Sequence, residues 1–167
     1  MSYYYSKTDI YNDLHRLDDR LRAAGQTLYL EIVGGGALIL NDLHFAETED
    51  LDTLVAITQE VKNIIDSCGV DINDDAREYC YSFDDGELIQ DDELFTNITL
   101  TYYDLGTIIK SKLNYDDQYK AEKLYYVLEE ELGVEMTVDG IVSYLDTLDT
   151  TVDEELVEEF LSIVNDG

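Results

Sequence analysis

The chain has 167 residues, of which 45% are hydrophobic; that is material for one domain with a core of ordinary size, and it argues against disorder of the whole chain. Lys and Arg total 10 against 39 Asp and Glu, a formal net charge of -29, where a small-domain surface ordinarily carries roughly 2–8 units. A field of that sign repels phosphate backbones and anionic membranes, which disfavours direct binding of nucleic acid or membrane and favours basic proteins and divalent cations.

In chain order, residues 7–24 read as an amphipathic helix. Ile10, Leu14, Leu17 and Leu21 recur at spacings of three and four, with Thr8 as the candidate cap and Gly25 as the stop. Residues 28–33 form a β-rich run that fits a buried strand, closed by Gly34, Gly35 and Gly36, after which residues 37–40 begin a short helix. Residues 51–57 resume apolar character with Asp50 and Asp52 at the entrance, and residues 54–68 have helical character as far as Gly69. Residues 79–83 and 97–103 read as strands. Residues 106–113 and 121–132 read as helices, the second stopped by Gly133, followed by two more amphipathic helices at 138–148 and 154–164. Strands thus fill the first two thirds and helices the last, with no repeat or linker. The expectation is a single α+β domain over 1–167, a small mixed β-sheet with flanking helices and a helical end over about 106–167.

The stretch richest in chemistry is Leu30-Glu31-Ile32-Val33-Gly34-Gly35-Gly36-Ala37-Leu38, followed by Thr48-Glu49-Asp50-Leu51-Asp52. A strand that runs into glycines lets the backbone approach a phosphate closely at a helix N-terminus. Two carboxylates two positions apart on a strand leave it on one face and can share Mg²⁺, which positions a triphosphate and neutralises charge during transfer. Glycine pairs and Asp-x-Asp are each common by chance in such a chain, so the signal lies in their order and spacing. Gly34, Gly35, Gly36 and Thr48 are the candidate cofactor-binding residues, and Asp50 and Asp52 the candidate metal ligands and, in an active protein, the catalytic pair. His44 lies in the same loop and is a further candidate ligand, although a loop histidine without a role is the commoner case; together with Cys68 and Cys80 it makes Zn²⁺ the alternative to Mg²⁺.

This pattern resembles the bacterial nucleotidyltransferase-like proteins of polymerase-β type that include toxin–antitoxin members. Those proteins have a strand, Gly-Gly-x-Ala, a short helix, then Arg-x-Thr-x-Asp-hydrophobic-Asp. Here Gly34-Gly35 or Gly35-Gly36 precedes Ala37, and Thr48, Asp50 and Asp52 are in place. Residues 68–76 are similar to the family's later Gly-rich turn with its Asn-Asp pair, residues 109–113 to its Lys-Leu helix, and residues 124–128 to the helix beyond, so the likeness spans most of 28–145. It implies a nucleotidyltransferase fold and, in an active member, Mg²⁺-dependent transfer of a nucleoside monophosphate to a partner. The chain departs from the family at Ala46, where an Arg is usual, and over residues 116–122, where an Arg-rich segment is usual. A third metal carboxylate is also missing from residues 97–102, before Asp104. Arginine gives planar, bidentate phosphate contacts that Lys110 and Lys112 do not replace, so loss of catalysis is expected.

The remaining acids are spread along the chain. They form clusters at Asp18-Asp19, Asp84-Asp85-Glu87, Asp91-Asp92-Glu93, Asp116-Asp117, Glu129-Glu130-Glu131, Asp153-Glu154-Glu155 and Glu158-Glu159. Any one run is ordinarily a solvated face, but so many on a small domain exceed what solubility requires, because mutual repulsion lowers stability. Carboxylates on a rigid body imitate a phosphate backbone and fit the Lys/Arg groove of a nucleic-acid-binding protein. In composition the chain resembles phage-encoded inhibitors of bacterial defence, anti-CRISPR and other DNA-mimic proteins. The expected partner is therefore a basic nucleic-acid-binding protein such as a CRISPR effector nuclease, met by Asp84, Asp85, Glu87, Asp91, Asp92, Glu93, Asp116, Asp117, Glu129, Glu130, Glu154, Glu155, Glu158 and Glu159. The alternatives are an active nucleotidyltransferase, an antitoxin-like binder of a basic toxin, and plain adaptation to high salt.

Cys68 and Cys80 are too few for a disulfide framework, and no stretch has the ~18 apolar residues of a membrane span. A reducing bacterial cytoplasm, that of the host if the gene is a phage's, is the expected location. His15, beside Leu14, reads as a surface residue, and Tyr3, Tyr4, Tyr5, Tyr102, Tyr103, Tyr125 and Tyr126 are candidate interface anchors.

Overall fold

A computed structural model describes residue 4 and residues 6–43, 48–75, 86–114 and 117–165; the expected strand at 79–83, together with Cys80, Tyr3 and Tyr5, lies outside them. The architecture is α+β, a five-stranded mixed sheet with helices and a wholly helical C-terminal part, as the sequence leads one to expect. Among the described residues no helix is long and apolar enough to cross a membrane.

Helix α1 (Lys7–Ala24) buries Ile10, Leu14, Leu17 and Leu21 and ends at Gly25 in the left-handed conformation. Its cap is Ser6, whose hydroxyl accepts from the Asp9 N–H at 3.3 Å, and not Thr8, which lies inside the first turn. Strand β1 (Leu28–Val33) forms the middle of the sheet. It runs parallel to β5 (Ile98–Tyr103), in register from Leu28 opposite Ile98 to Ile32 opposite Tyr102. On its other side it is antiparallel to β2 (Leu51–Thr53), with Ile32 opposite Thr53 and Val33 opposite Asp52. β3 (Ile72–Asn73) extends the sheet beyond β2, and β4 (Leu88–Gln90) extends it beyond β5, in the order β3-β2-β1-β5-β4. Leu28, Leu30 and Ile32 are buried, whereas Tyr29 and Glu31 of the alternate face are not, the period-two pattern of a strand with one core face.

Helix α2 (Gly34–Leu40) starts directly at the end of β1, three residues ahead of the helix expected over 37–40. Helix α3 (Gln59–Ser67) is shorter than the helical stretch expected over 54–68, because the Thr58 hydroxyl caps it by accepting from Val61 N–H at 3.4 Å. Ahead of that cap the chain is not helical, and Ile57 N–H donates to the buried Asp74 carboxylate at 2.8 Å.

The contacts group the chain into two compact units, Met1–Cys80 with Glu87–Asp104, and Tyr81–Gly86 with Leu105–Gly167. The second contains α4 (Leu105–Lys112), α5 (Gln118–Tyr126) continued by a π-helical turn (Val127–Glu131), α6 (Val138–Thr147) and α7 (Glu154–Asn165). Its core is formed by Leu124, Leu128, Ile141, Leu145, Val157 and Phe160 with their neighbours. Asp117 caps α5 by accepting from the Tyr119 and Lys120 N–H groups, and Thr137 caps α6 by accepting from Gly140 N–H at 3.0 Å.

Candidate functional site

Strand β1 delivers the chain into Gly34, whose φ of +66° lies in the left-handed region that side chains resist. A Cβ there would stand 3.2 Å from Asp52 Oδ2, so the carboxylate of β2 rests against bare backbone at the point where strand turns into helix. Gly36 is needed for a different reason: a Cβ would fall 2.8 Å from Leu51 Cδ2, and its absence lets α2 settle on β2. The far end of α2 is tied to β5 by Asn41, whose Nδ2 donates to the carbonyls of Ala37 at 2.8 Å and Tyr103 at 3.0 Å.

Thr48 is bridged to Tyr4 by reciprocal backbone hydrogen bonds, and its hydroxyl donates to the Asp50 carbonyl at 2.9 Å, which fixes the approach to β2. Asp50 immediately precedes the strand and Asp52 is its central residue. The neighbours of the two differ. Asp52 meets Gly34, whereas Asp50 lies in a cleft of about 340 Å³ with Glu49, Asp66, Asp71 and Asn73. Burial pushes the Asp50 carboxyl above the ordinary carboxylate range, and the charges of Asp71 and Glu49 push it the same way. Asp71 escaped the sequence reading. The β2–β3 pairing places it there, since Leu51 N–H donates to the Asp71 carbonyl at 2.9 Å, and a two-residue strand leaves no periodic signal.

Among the described residues, four cations of the sheet unit are engaged by carboxylates of the same unit. Lys7 pairs with Asp42 at 2.9 Å, Arg16 with Asp13 at 3.0 Å, Arg22 with Asp19 at 2.9 Å and Lys62 with Asp74 at 3.3 Å. His15 Nε2 lies 2.8 Å from Glu93 Oε1 with its ring against Phe95, a surface pairing. His44 and Ala46 lie outside the described residues. Among the described residues no three His, Cys, Asp or Glu side chains gather as a metal cage.

The acids expected to meet a partner fall into distinct settings. Asp91 is turned inward, 8% exposed, accepting from Tyr11 Oη at 2.9 and 3.0 Å and from Glu93 N–H at 2.8 Å. Asp117 is a helix cap and Glu93 meets His15. Glu87, Asp92, Glu129, Glu130, Glu154, Glu155, Glu158 and Glu159 are exposed, and Asp84, Asp85 and Asp116 lie outside the described residues.

A family model described as "Nucleotidyltransferase of unknown function (DUF6036)" matches residues 11–105, more than half of the chain. The chain belongs to this family. The nucleotidyltransferase match runs from α1 to the first residue of α4, taking in Gly34–Gly36, Thr48, Asp50 and Asp52, and stops where the helical unit begins. The resemblances noted at residues 109–113 and 124–128 fall beyond it. No curated protein and no solved structure matches the chain.

Proposed function

We propose that this chain is a nucleotidyltransferase-fold protein that acts by binding a basic nucleic-acid-binding protein, such as a CRISPR-type nuclease, and occupying the groove that protein uses for DNA or RNA. The observation that carries the reading is α7. Glu154, Glu155, Glu158 and Glu159 are all exposed within six consecutive residues of one helix. At ~1.5 Å per residue this is one charge per roughly 2.3 Å of axis, of the same order as the ~1.7 Å of duplex DNA though sparser. The setting of Asp50, among Asp71 and Glu49, and the pairing of Lys7 and Lys62 with carboxylates of the same unit favour this over capture of a triphosphate.

The test is displacement. The purified chain is titrated into a basic nuclease bound to labelled DNA, and release of the DNA is expected, weakened about tenfold or more by E154Q/E155Q/E158Q/E159Q and left unchanged by D50A/D52A. DNA that stays bound at saturating protein sinks the mimic. A cationic partner bound with no competition from DNA would indicate a basic toxin instead.

The fit of Gly34 against Asp52 favours a second reading, an active Mg²⁺-dependent transferase or antitoxin that passes a nucleoside monophosphate to a partner. Asp50 and Asp52 would hold the ion, which when bound neutralises triphosphate charge. Gly34 keeps backbone rather than a side chain beside that carboxylate. Label transfer from a nucleoside triphosphate that D50A/D52A abolishes would establish this reading.

A further inference from the structure

Helix α5 presents an aromatic face within a strongly acidic chain. Tyr119 is 65% exposed and Tyr126 51% exposed. The two lie seven positions apart, about two turns, and so share one side of the helix. Between them Lys123 extends its Nζ to 4.9 Å from the centroid of the Tyr119 ring, so this ring already receives a cation. The exposed acids Glu122 and Glu130 border the face, Glu122 accepting from Gln118 Nε2 at 3.2 Å. Nucleic acid is disfavoured here, because Glu129 and Glu130 follow Tyr126 within about one turn and repel phosphates. A guanidinium group matches the face better than an ammonium. It is flat and weakly hydrated, stacks on aromatic rings, and donates two parallel hydrogen bonds to a carboxylate.

We propose that this face of α5 docks an arginine-rich segment of a protein partner, with guanidinium groups stacked on Tyr119 and Tyr126 and their N–H groups held by Glu122 and Glu130. The inference rests on the reading above that the partner is basic, and it adds a further contact, on α5, and a preference for arginine over lysine. Tyrosine suits such a site, combining a large apolar area with few rotatable bonds to order. Lys123 acts as an internal competitor that leaves the ring when the segment docks.

The decisive measurement is fluorescence anisotropy of the full chain with a labelled peptide of six Arg-Gly repeats, beside six Lys-Gly repeats of equal charge, at physiological salt. Y119A/Y126A removes both rings while keeping the net charge of -29, so general attraction between polyanion and polycation is untouched. Wild type is expected to prefer the arginine peptide. Loss of two exposed cation–π contacts weakens that binding about tenfold and leaves the lysine peptide nearly unaffected. Y119L/Y126L, which keeps bulk and helix propensity, should behave like the alanine variant, with circular dichroism confirming the fold of each. Lys123→Gln makes the chain more acidic and strengthens binding of both peptides, and freeing the Tyr119 ring should tighten the arginine peptide by more than the lysine peptide. Equal affinity of wild type and both tyrosine variants for the arginine peptide would overturn the α5 site and leave the basic-partner reading standing. No measurable binding of either peptide to wild type would overturn both.

Discussion

Replacing Asp18 with Ala probes how far the acidity of this chain belongs to its interior. Asp18 lies on the core side of α1, 4% exposed, and its two oxygens accept from the backbone N–H groups of Asn97 at 2.6 Å and Thr96 at 3.0 Å. Those residues lead directly into β5, whose pairing with β1 makes the middle of the sheet. Hydrogen bonds to a charged acceptor contribute about 1.5–3 kcal/mol each, and the alanine variant leaves two backbone donors facing a helix that no longer accepts them. A loss of roughly 3–5 kcal/mol follows, a large share of the ~5–15 kcal/mol that holds a domain folded. The neighbouring Asp19 is the control. It is 69% exposed in its pair with Arg22 at 2.9 Å, and such surface pairs contribute about 0–1 kcal/mol. Urea unfolding followed by circular dichroism would show D18A with an unchanged slope and a midpoint lower by roughly 2 M, at an m-value of about 2 kcal/mol per molar. Both variants remove one negative charge, so relief of general repulsion cancels between them. A D18A midpoint within about 0.3 M of that of D19A would refute the reasoning.

Two pH-dependent outcomes follow from the shifted carboxyls. Asp50 is pushed up in the folded state by burial and by Asp71 and Glu49, so its stabilising share is present below the unfolded value of about 3.9 and lost as pH rises through the folded value. D50N should therefore melt higher than wild type at pH 7 and equal to it near pH 3; a lower melting temperature at pH 7 would contradict the placement of Asp50. Asp74 is held below the ordinary range by the Ile57 N–H and then by Lys62, so its contribution is present above the unfolded value and lost as pH falls through the folded one. D74N should lose about 1–3 kcal/mol at pH 7, with the difference fading towards pH 2, as thermal melts across that range would show.

Much of the sheet unit was legible because its elements are long enough to carry a period. The spacing of Ile10, Leu14, Leu17 and Leu21 gave α1 with both of its bounds, and the β-rich run before the glycines gave β1 with both of its bounds. Ser6 and Thr8 stand two residues apart with the same hydroxyl chemistry, and only the bond to Asp9 N–H separates cap from first turn. β3 and β4, with two and three residues, are too short to show alternation. The setting of the acids was hidden for another reason. Asp91 turns inward to a tyrosine 80 positions away, and Asp18 to backbone donors 78 and 79 positions away. A composition that reads as uniform surface charge thus conceals carboxylates whose partners are fixed by tertiary contact alone.

The parallel pairing of Leu28 with Ile98 joins strands 70 residues apart. At a synthesis rate of about 5–20 residues per second, β1 leaves the ribosome some 4–14 s before the strand that completes its side of the sheet. For that interval one edge of an apolar strand is a template for any other extended chain. The dense negative charge then acts before the fold is finished, because half-made copies that repel one another are slow to pair edge to edge.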